Sequence, residues 1–336
     1  MFRFVMPDPV LPRSEQLALL RRQFDAFLCS DALKELFALL EVDRASFSRV
    51  YNGRRLSDGR TLETQELEPV RALDRRRERI YPLLEELGFL TINQPLTQDY
   101  SRLVVLGGSL EACYTRTKAA AEWMTPSVRS VDGLACFRPI HPKERMSNPE
   151  LSACETEFGA MTESFASVFS LPQAWADDFQ GDRNLNSISC VRRLRDMQDG
   201  RQYRVFAAPS TQPELRRADT GDSVLFYLRQ AKPCASDSLL FLTNNRYCNR
   251  QFLQLAWLLM KQESPLRMDV IGCTPDERVI SRERYDPFQF LQDLIGVLDW
   301  IERFSESFPR IAFDTLRSFP AAAGADPSAH NRSRVL

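Results

Sequence analysis

Between residues 14 and 90 the chain places Leu, Phe and Ile three or four positions apart almost throughout, in "SEQLALLRRQFDAFL", "DALKELFALLEV" and "ELEPVRALDRRRERIYPLLEELGFL". That spacing lines one face of an α-helix with apolar side chains. It predicts a helical N-terminal module over residues 1–98. Ser14, ahead of Glu15 and Gln16, is placed to cap the first helix, and Gly88 to end the last. "TINQPLTQDYS" reads as a linker.

From residue 101 the pattern changes. Short apolar runs bounded by turn residues alternate with longer amphipathic stretches. Strands are expected at 102–107 ("RLVVLG"), 133–140 ("GLACFRPI"), 203–209 ("YRVFAAP"), 238–244 ("SLLFLTN") and 267–273 ("RMDVIGC"). Helices are expected at about 109–124, 150–170, 219–231, 247–262 and 287–305. The strands are nearly all apolar, as expected where both faces of a sheet are covered, and a parallel return needs a long crossover. The expected fold is therefore α/β: a doubly wound, mainly parallel sheet of about five strands, Rossmann-like, over residues 99–310. The tail 311–336 lacks periodicity and is expected to be disordered.

Composition narrows the function classes. Of 336 residues 43% are hydrophobic, enough for a sizeable core, and 44 Lys+Arg against 45 Asp+Glu leave a net charge of −1. Global electrostatics therefore gives no case for nucleic acid or an anionic membrane. No run approaches the roughly 18 apolar residues of a membrane span, and prolines interrupt "MFRFVMPDPVLPRSE" where a secretory apolar region would lie. The expected location is cytoplasmic. Eight scattered cysteines with no C-x-x-C pair, and only two histidines, His141 and His330, argue for reduced thiols and against a zinc site.

In open parallel sheets ligands bind at the carboxyl ends of the strands. After the first strand come Gly107, Gly108 and Ser109, which let a ligand approach the backbone and open a helix whose free N–H groups favour an anion. Arg116 lies two turns on. The loop matches neither G-x-G-x-x-G nor a P-loop, so a conventional dinucleotide or ATP-hydrolase reading has no support; a tight turn without ligand is the alternative. The third strand is followed by "RRADTGDSVLFYL", where Asp219 and Thr220 stand at a capping position and Asp222 in the first turn, a pattern that helix capping alone also explains. The fourth is followed by "LTNNRYCNRQF", with Thr243, Asn244 and Asn245 at the strand end and Arg246 and Arg250 four apart on one helical face. After the second strand, Arg138, His141 and Lys143 offer a local cationic site. His141 is the one imidazole outside the tail. Cys113 and Cys154 have no histidine partner in sequence for a nucleophilic role.

The succession "VVLGGS" with Arg116, "TEFGAM" with Glu157, "DTGDS" with Thr220 and Asp222, and "LTNNRYCNR" with Arg250 resembles the SanA/YdcF-like family of Rossmann-type proteins over roughly residues 101–275. The resemblance implies a strand-end pocket for a nucleotide-like or phosphate-bearing ligand. It also implies a link to cell-envelope biogenesis, with S-adenosylmethionine as one candidate ligand. Gly107, Gly108 and Arg116 match the family's first loop and helix, Glu157 its acidic helix residue, Thr220 and Asp222 its T-x-E pattern, and Thr243 and Arg250 its last strand and helix. Tyr247 stands where the family often has a His three residues before the last Arg, Ser223 where an Asn follows the acid, and "FRPIHPKE" where Ser-Gly-Gly is usual.

The expected function is binding of, and action on, a nucleotide-like or phosphorylated metabolite by transfer or hydrolysis. The expected ligand residues are Gly107, Gly108, Ser109, Arg116, Thr220, Thr243, Asn244 and Arg250, with Glu157, Asp222 and His141 as the catalytic set. Glu157 and Asp222 suit orientation of a polar group, a divalent ion or a base, and the sequence leaves these open; no metal ligands are assigned. The alternative is a DNA-binding regulator with the sheet domain as ligand sensor. "LKELFALLEVDRASFSRVYNGRR", residues 33–55, resembles the helix-turn-helix of bacterial repressors, and would set Ser46, Ser48, Arg49, Asn52, Arg54 and Arg55 against the duplex. Five arginines and two aspartates over 43–60 support that locally, while 15 basic and 16 acidic residues over 1–99 do not.

Overall fold

A computed structural model of the chain describes residues 1–52, 73, 75–91, 93–147, 153–172, 175–181, 185–195, 200–273 and 286–308. Seven strands form one sheet: β1 (Arg102–Leu106), β2 (Ser130–Ala135), β3 (Trp175–Gln180), β4 (Ser189–Arg195), β5 (Gln202–Ala207), β6 (Ser238–Asn244) and β7 (Arg267–Cys273). Their spatial order is β3-β4-β5-β2-β1-β6-β7. β5, β2, β1, β6 and β7 run parallel, whereas β3 and β4 add an antiparallel hairpin to the β5 edge. The expectation of a mainly parallel α/β sheet holds, with two strands more than the five expected.

The hairpin escaped the apolar pattern because its sequences, "WADDFQ" and "SCVRRLR", are charged. An edge hairpin is half solvated, and its strands are held by ladder hydrogen bonds and cross-strand pairs such as Asp177 with Arg192, both contacts at 2.6 Å. β2 also begins earlier than its apolar run. Asp132 lies in it fully buried, paired through both oxygens to Arg204 at 2.7 and 2.9 Å and accepting from Tyr227 at 3.1 Å. Its apolar part stops at Ala135, and 136–140 continue without regular strand apart from an isolated bridge of Pro139 to Thr156.

Alternation along each strand sorts side chains onto two faces. Leu103 and Val105 face helices α5 (Leu110–Glu122) and α7 (Glu157–Val168), which bring Leu110, Cys113, Met161 and Phe165. Val104 and Leu106 face α8 (Thr220–Ala231), α9 (Cys248–Lys261) and α10 (Pro287–Ser307). The short helix α6 (Pro142–Ser147) lies between β2 and α7.

The N-terminal helices α1 (Arg13–Leu28), α2 (Asp31–Leu40), α3 (Arg44–Tyr51) and α4 (Arg77–Glu86) join this second core. Phe4 stacks on Phe252 of α9 with centroids 6.1 Å apart, and Phe24 meets Phe304 of α10 at 5.1 Å. Each such fully buried ring is worth about 1.5–3 kcal/mol. α1 begins at Arg13 with Pro12 before it and no side-chain cap, so Ser14 sits inside the first turn. Gly88 ends α4 as expected, with φ 81° and the paired N–H bonds of Gly88 and Phe89 to Glu85 and Leu84 carbonyls. The tail 311–336 lies outside the described residues. Among the described residues no helix is long and apolar enough to cross a membrane.

Candidate functional site

The helix after β1 packs on one face of the sheet and the helix after β6 on the other, although β1 and β6 are neighbours. That reversal opens a crevice at the strands' carboxyl ends. A cleft of about 410 Å³ lies there, within the usual size range of small-molecule sites. Gly107, Gly108, Ser109, Arg116, Glu157, Thr220, Asn244 and Arg250 all line it. Asp222, His141 and Thr243 do not. Asp222 closes a capping box with Asp219 and takes hydrogen bonds from Thr211 and Arg216. Although burial alone would raise its pKa, those bonds hold it below the ordinary carboxylate value. His141 accepts the Lys143 N–H at 3.2 Å, and Thr243 is buried within β6.

The glycine loop is filled by the protein itself. Glu144 of α6 is buried and its Oε2 accepts the Leu110 N–H at 3.0 Å, so a carboxylate already sits on the amino end of α5. Arg138 bridges that carboxylate, at 2.7 Å, to Glu157, at 3.2 Å, and donates to the Gly108 carbonyl at 2.8 Å. The role of Gly107 follows from this packing. A Cβ there would fall 2.0 Å from Glu157 Oε1 and 2.5 Å from the Leu134 carbonyl. The glycine makes room for an internal carboxylate and strand. Ser109 caps α5 by accepting from Ala112 N–H at 3.3 Å.

Arg116 is 1% exposed and is spent on the same loop: it donates to the Leu106 carbonyl at 2.7 Å, to the Gly107 carbonyl, and to Asn244 Oδ1 at 2.6 Å. Its guanidinium ties the ends of β1 and β6 together. Cys136 beside Glu157 is pushed well above the ordinary thiol value by burial and then by that carboxylate, and Cys113 is raised to about 12 for the same reasons. Neither is a ready nucleophile.

The other rim differs. α9 starts from a 3-10 turn, Asn245–Tyr247, and has no side-chain cap. Arg250, in its first turn, stays 28% exposed at the side chain, with Asp293 at 3.7 Å and no hydrogen bond among the described residues. Asp293 is shared with Arg246, whose Nε is 2.7 Å away. The guanidiniums of Arg116, Arg246 and Arg250 lie 5.9, 4.6 and 5.1 Å from the Tyr247 ring centroid. Gln251 is 5% exposed. Its Nε2 reaches Thr220 Oγ1 at 3.4 Å, whereas its Oε1 is buried without a partner.

Sequence reasoning missed Glu144, Gln251 and Asp293 as parts of the site. Glu144 was reachable as the first acid after the second strand's turn. Gln251 and Asp293 sit in ordinary amphipathic helices and carry no local signal. Among the described residues no group of three His, Cys, Asp or Glu side chains is placed to hold a metal. As for the possible recognition helix α3, Phe47 and Tyr51 bury its inner face, Ser46 is used in a capping box with Asp43, and Arg49 is exposed. Arg54 and Arg55 lie outside the described residues. Set against protein-family models, curated proteins and solved structures, the chain matches none.

Proposed function

We propose that the protein binds a small phosphate-bearing metabolite of nucleotide or sugar-phosphate size in the switch-point cleft. One observation carries this reading: residues from Gly108 to Arg250 in sequence, contributed by β1, α5, α8 and α9, meet around a single space. Its wall carries a partly exposed arginine, Arg250, and Gln251, whose buried amide oxygen is costly to leave without a partner. Of the three residues expected to be catalytic, only Glu157 lines the cleft, and there it is paired with Arg138.

Thermal unfolding against nucleotides, S-adenosylmethionine and sugar phosphates tests it. A ligand at 100 times its Kd stabilises the wild type by about 2.7 kcal/mol. The expected result is a rise in Tm with at least one phosphate-bearing ligand that Arg250→Ala abolishes. No rise with any member of the panel contradicts the reading.

A further inference from the structure

The cleft's two helix amino ends carry opposite chemistry, and this orients the ligand. At α5 the end is met by Glu144, and Arg138 is engaged by Glu144 and Glu157. A phosphate there would face two carboxylates at close range. At α9 the situation is reversed. A cation in the first turn of a helix opposes the helix dipole, yet Arg250 stands there, on a helix without a side-chain cap. Its nearest carboxylate, Asp293, also serves Arg246, and the hydrogen bonds of Arg116 all go to neutral oxygens. This rim holds positive charge with room for an anion.

Beside Arg250, the Gln251 Oε1 is a buried acceptor without a donor. The dianion of a phosphate monoester has no proton to give it; a hydroxyl does. Asp219, whose side chain is 53% exposed, is a further acceptor on the lining, and an apolar ligand body would leave it desolvated.

Resting on the proposed function, we infer that the ligand is a phosphorylated polyol, a sugar phosphate or the ribose phosphate of a nucleotide. Its phosphate is bound by Arg250 at the amino end of α9, and a hydroxyl donates to Gln251. The glycine loop is not the phosphate cradle. Gln251 is thus a specificity-determining residue, which distinguishes a hydroxyl-bearing phosphate ester from phosphate alone.

Calorimetric titration of the full chain with ribose 5-phosphate, ribose and inorganic phosphate tests this, using wild type, Gln251→Leu and Arg250→Gln whose Tm has been checked. Wild type is expected to bind ribose 5-phosphate about tenfold more tightly than inorganic phosphate, and ribose least. Gln251→Leu is expected to lose about fivefold for ribose 5-phosphate and nothing for inorganic phosphate, as for one neutral hydrogen bond. Arg250→Gln is expected to weaken both phosphates at least about tenfold. Undiminished preference in Gln251→Leu, or phosphate binding indifferent to Arg250→Gln, overturns the inference. So does failure of all three probes while another phosphate-bearing ligand raises Tm, an outcome that leaves the cleft reading standing. Failure of every ligand removes both.

Discussion

The helices α5 and α9 start at the carboxyl ends of neighbouring strands, yet one begins at a closed, internally satisfied end and the other at an open one. At α5 every feature that suggested a ligand from sequence has an internal explanation: glycine for the Glu157 carboxylate, serine for the cap, Arg116 for the strand carbonyls. At α9 the sequence marked Arg250 but not Gln251, and that arginine and glutamine are the residues left with unused capacity. Small residues and free N–H groups at a strand end therefore do not identify an anion site until the question of what already fills it has been answered.

That contrast can be broken at the closed end first. Arg116→Met should cost the most, about 3 kcal/mol or more, because two strand-end carbonyls and Asn244 lose a buried charged donor. Urea unfolding measures it, and a loss under about 1 kcal/mol would mean that the loop is held by something else. Glu144→Gln keeps an acceptor for the Leu110 N–H but leaves Arg138 with one carboxylate instead of two. Its expected cost is about 1–3 kcal/mol in the same assay.

A third helix start supplies a pH-dependent control. The Asp222 carboxyl, whose folded pKa is depressed, contributes stability that is present above its unfolded value, about 4, and is lost as pH falls through the folded value. The stability gap between wild type and Asp222→Asn should therefore be full at pH 7 and shrink as the pH drops below about 4; a gap constant from pH 7 to 3 would contradict the assigned bonds. The smallest stability effect belongs to the open end. Arg250→Ala should change unfolding free energy by no more than about 1 kcal/mol, since its lone ion pair is long and partly solvated.

How far the sequence could be read follows the same physics. β1, β6 and β7 and the helices around them were legible because both faces of the strands are buried, so apolar runs and turn residues mark their ends. β3 and β4 were hidden by the charges of a half-solvated hairpin, and the start of β2 by Asp132, whose partner Arg204 lies 72 positions away. The meeting of Gly108, Arg116, Thr220 and Arg250 around one cleft was foreseeable from strand-end logic. Glu144 in the place foreseen for a ligand was not, because nothing local links a glutamate in a short surface helix to the N–H of Leu110, 34 positions earlier.

The most direct measurement compares ribose 5-phosphate affinity in Arg250→Gln and Glu144→Gln by calorimetry. An anion held at the amino end of α9 predicts at least about a tenfold loss in Arg250→Gln and a change within about twofold in Glu144→Gln. Unchanged affinity in Arg250→Gln together with at least about tenfold tighter binding in Glu144→Gln, as if a competing carboxylate had been removed from α5, would contradict it.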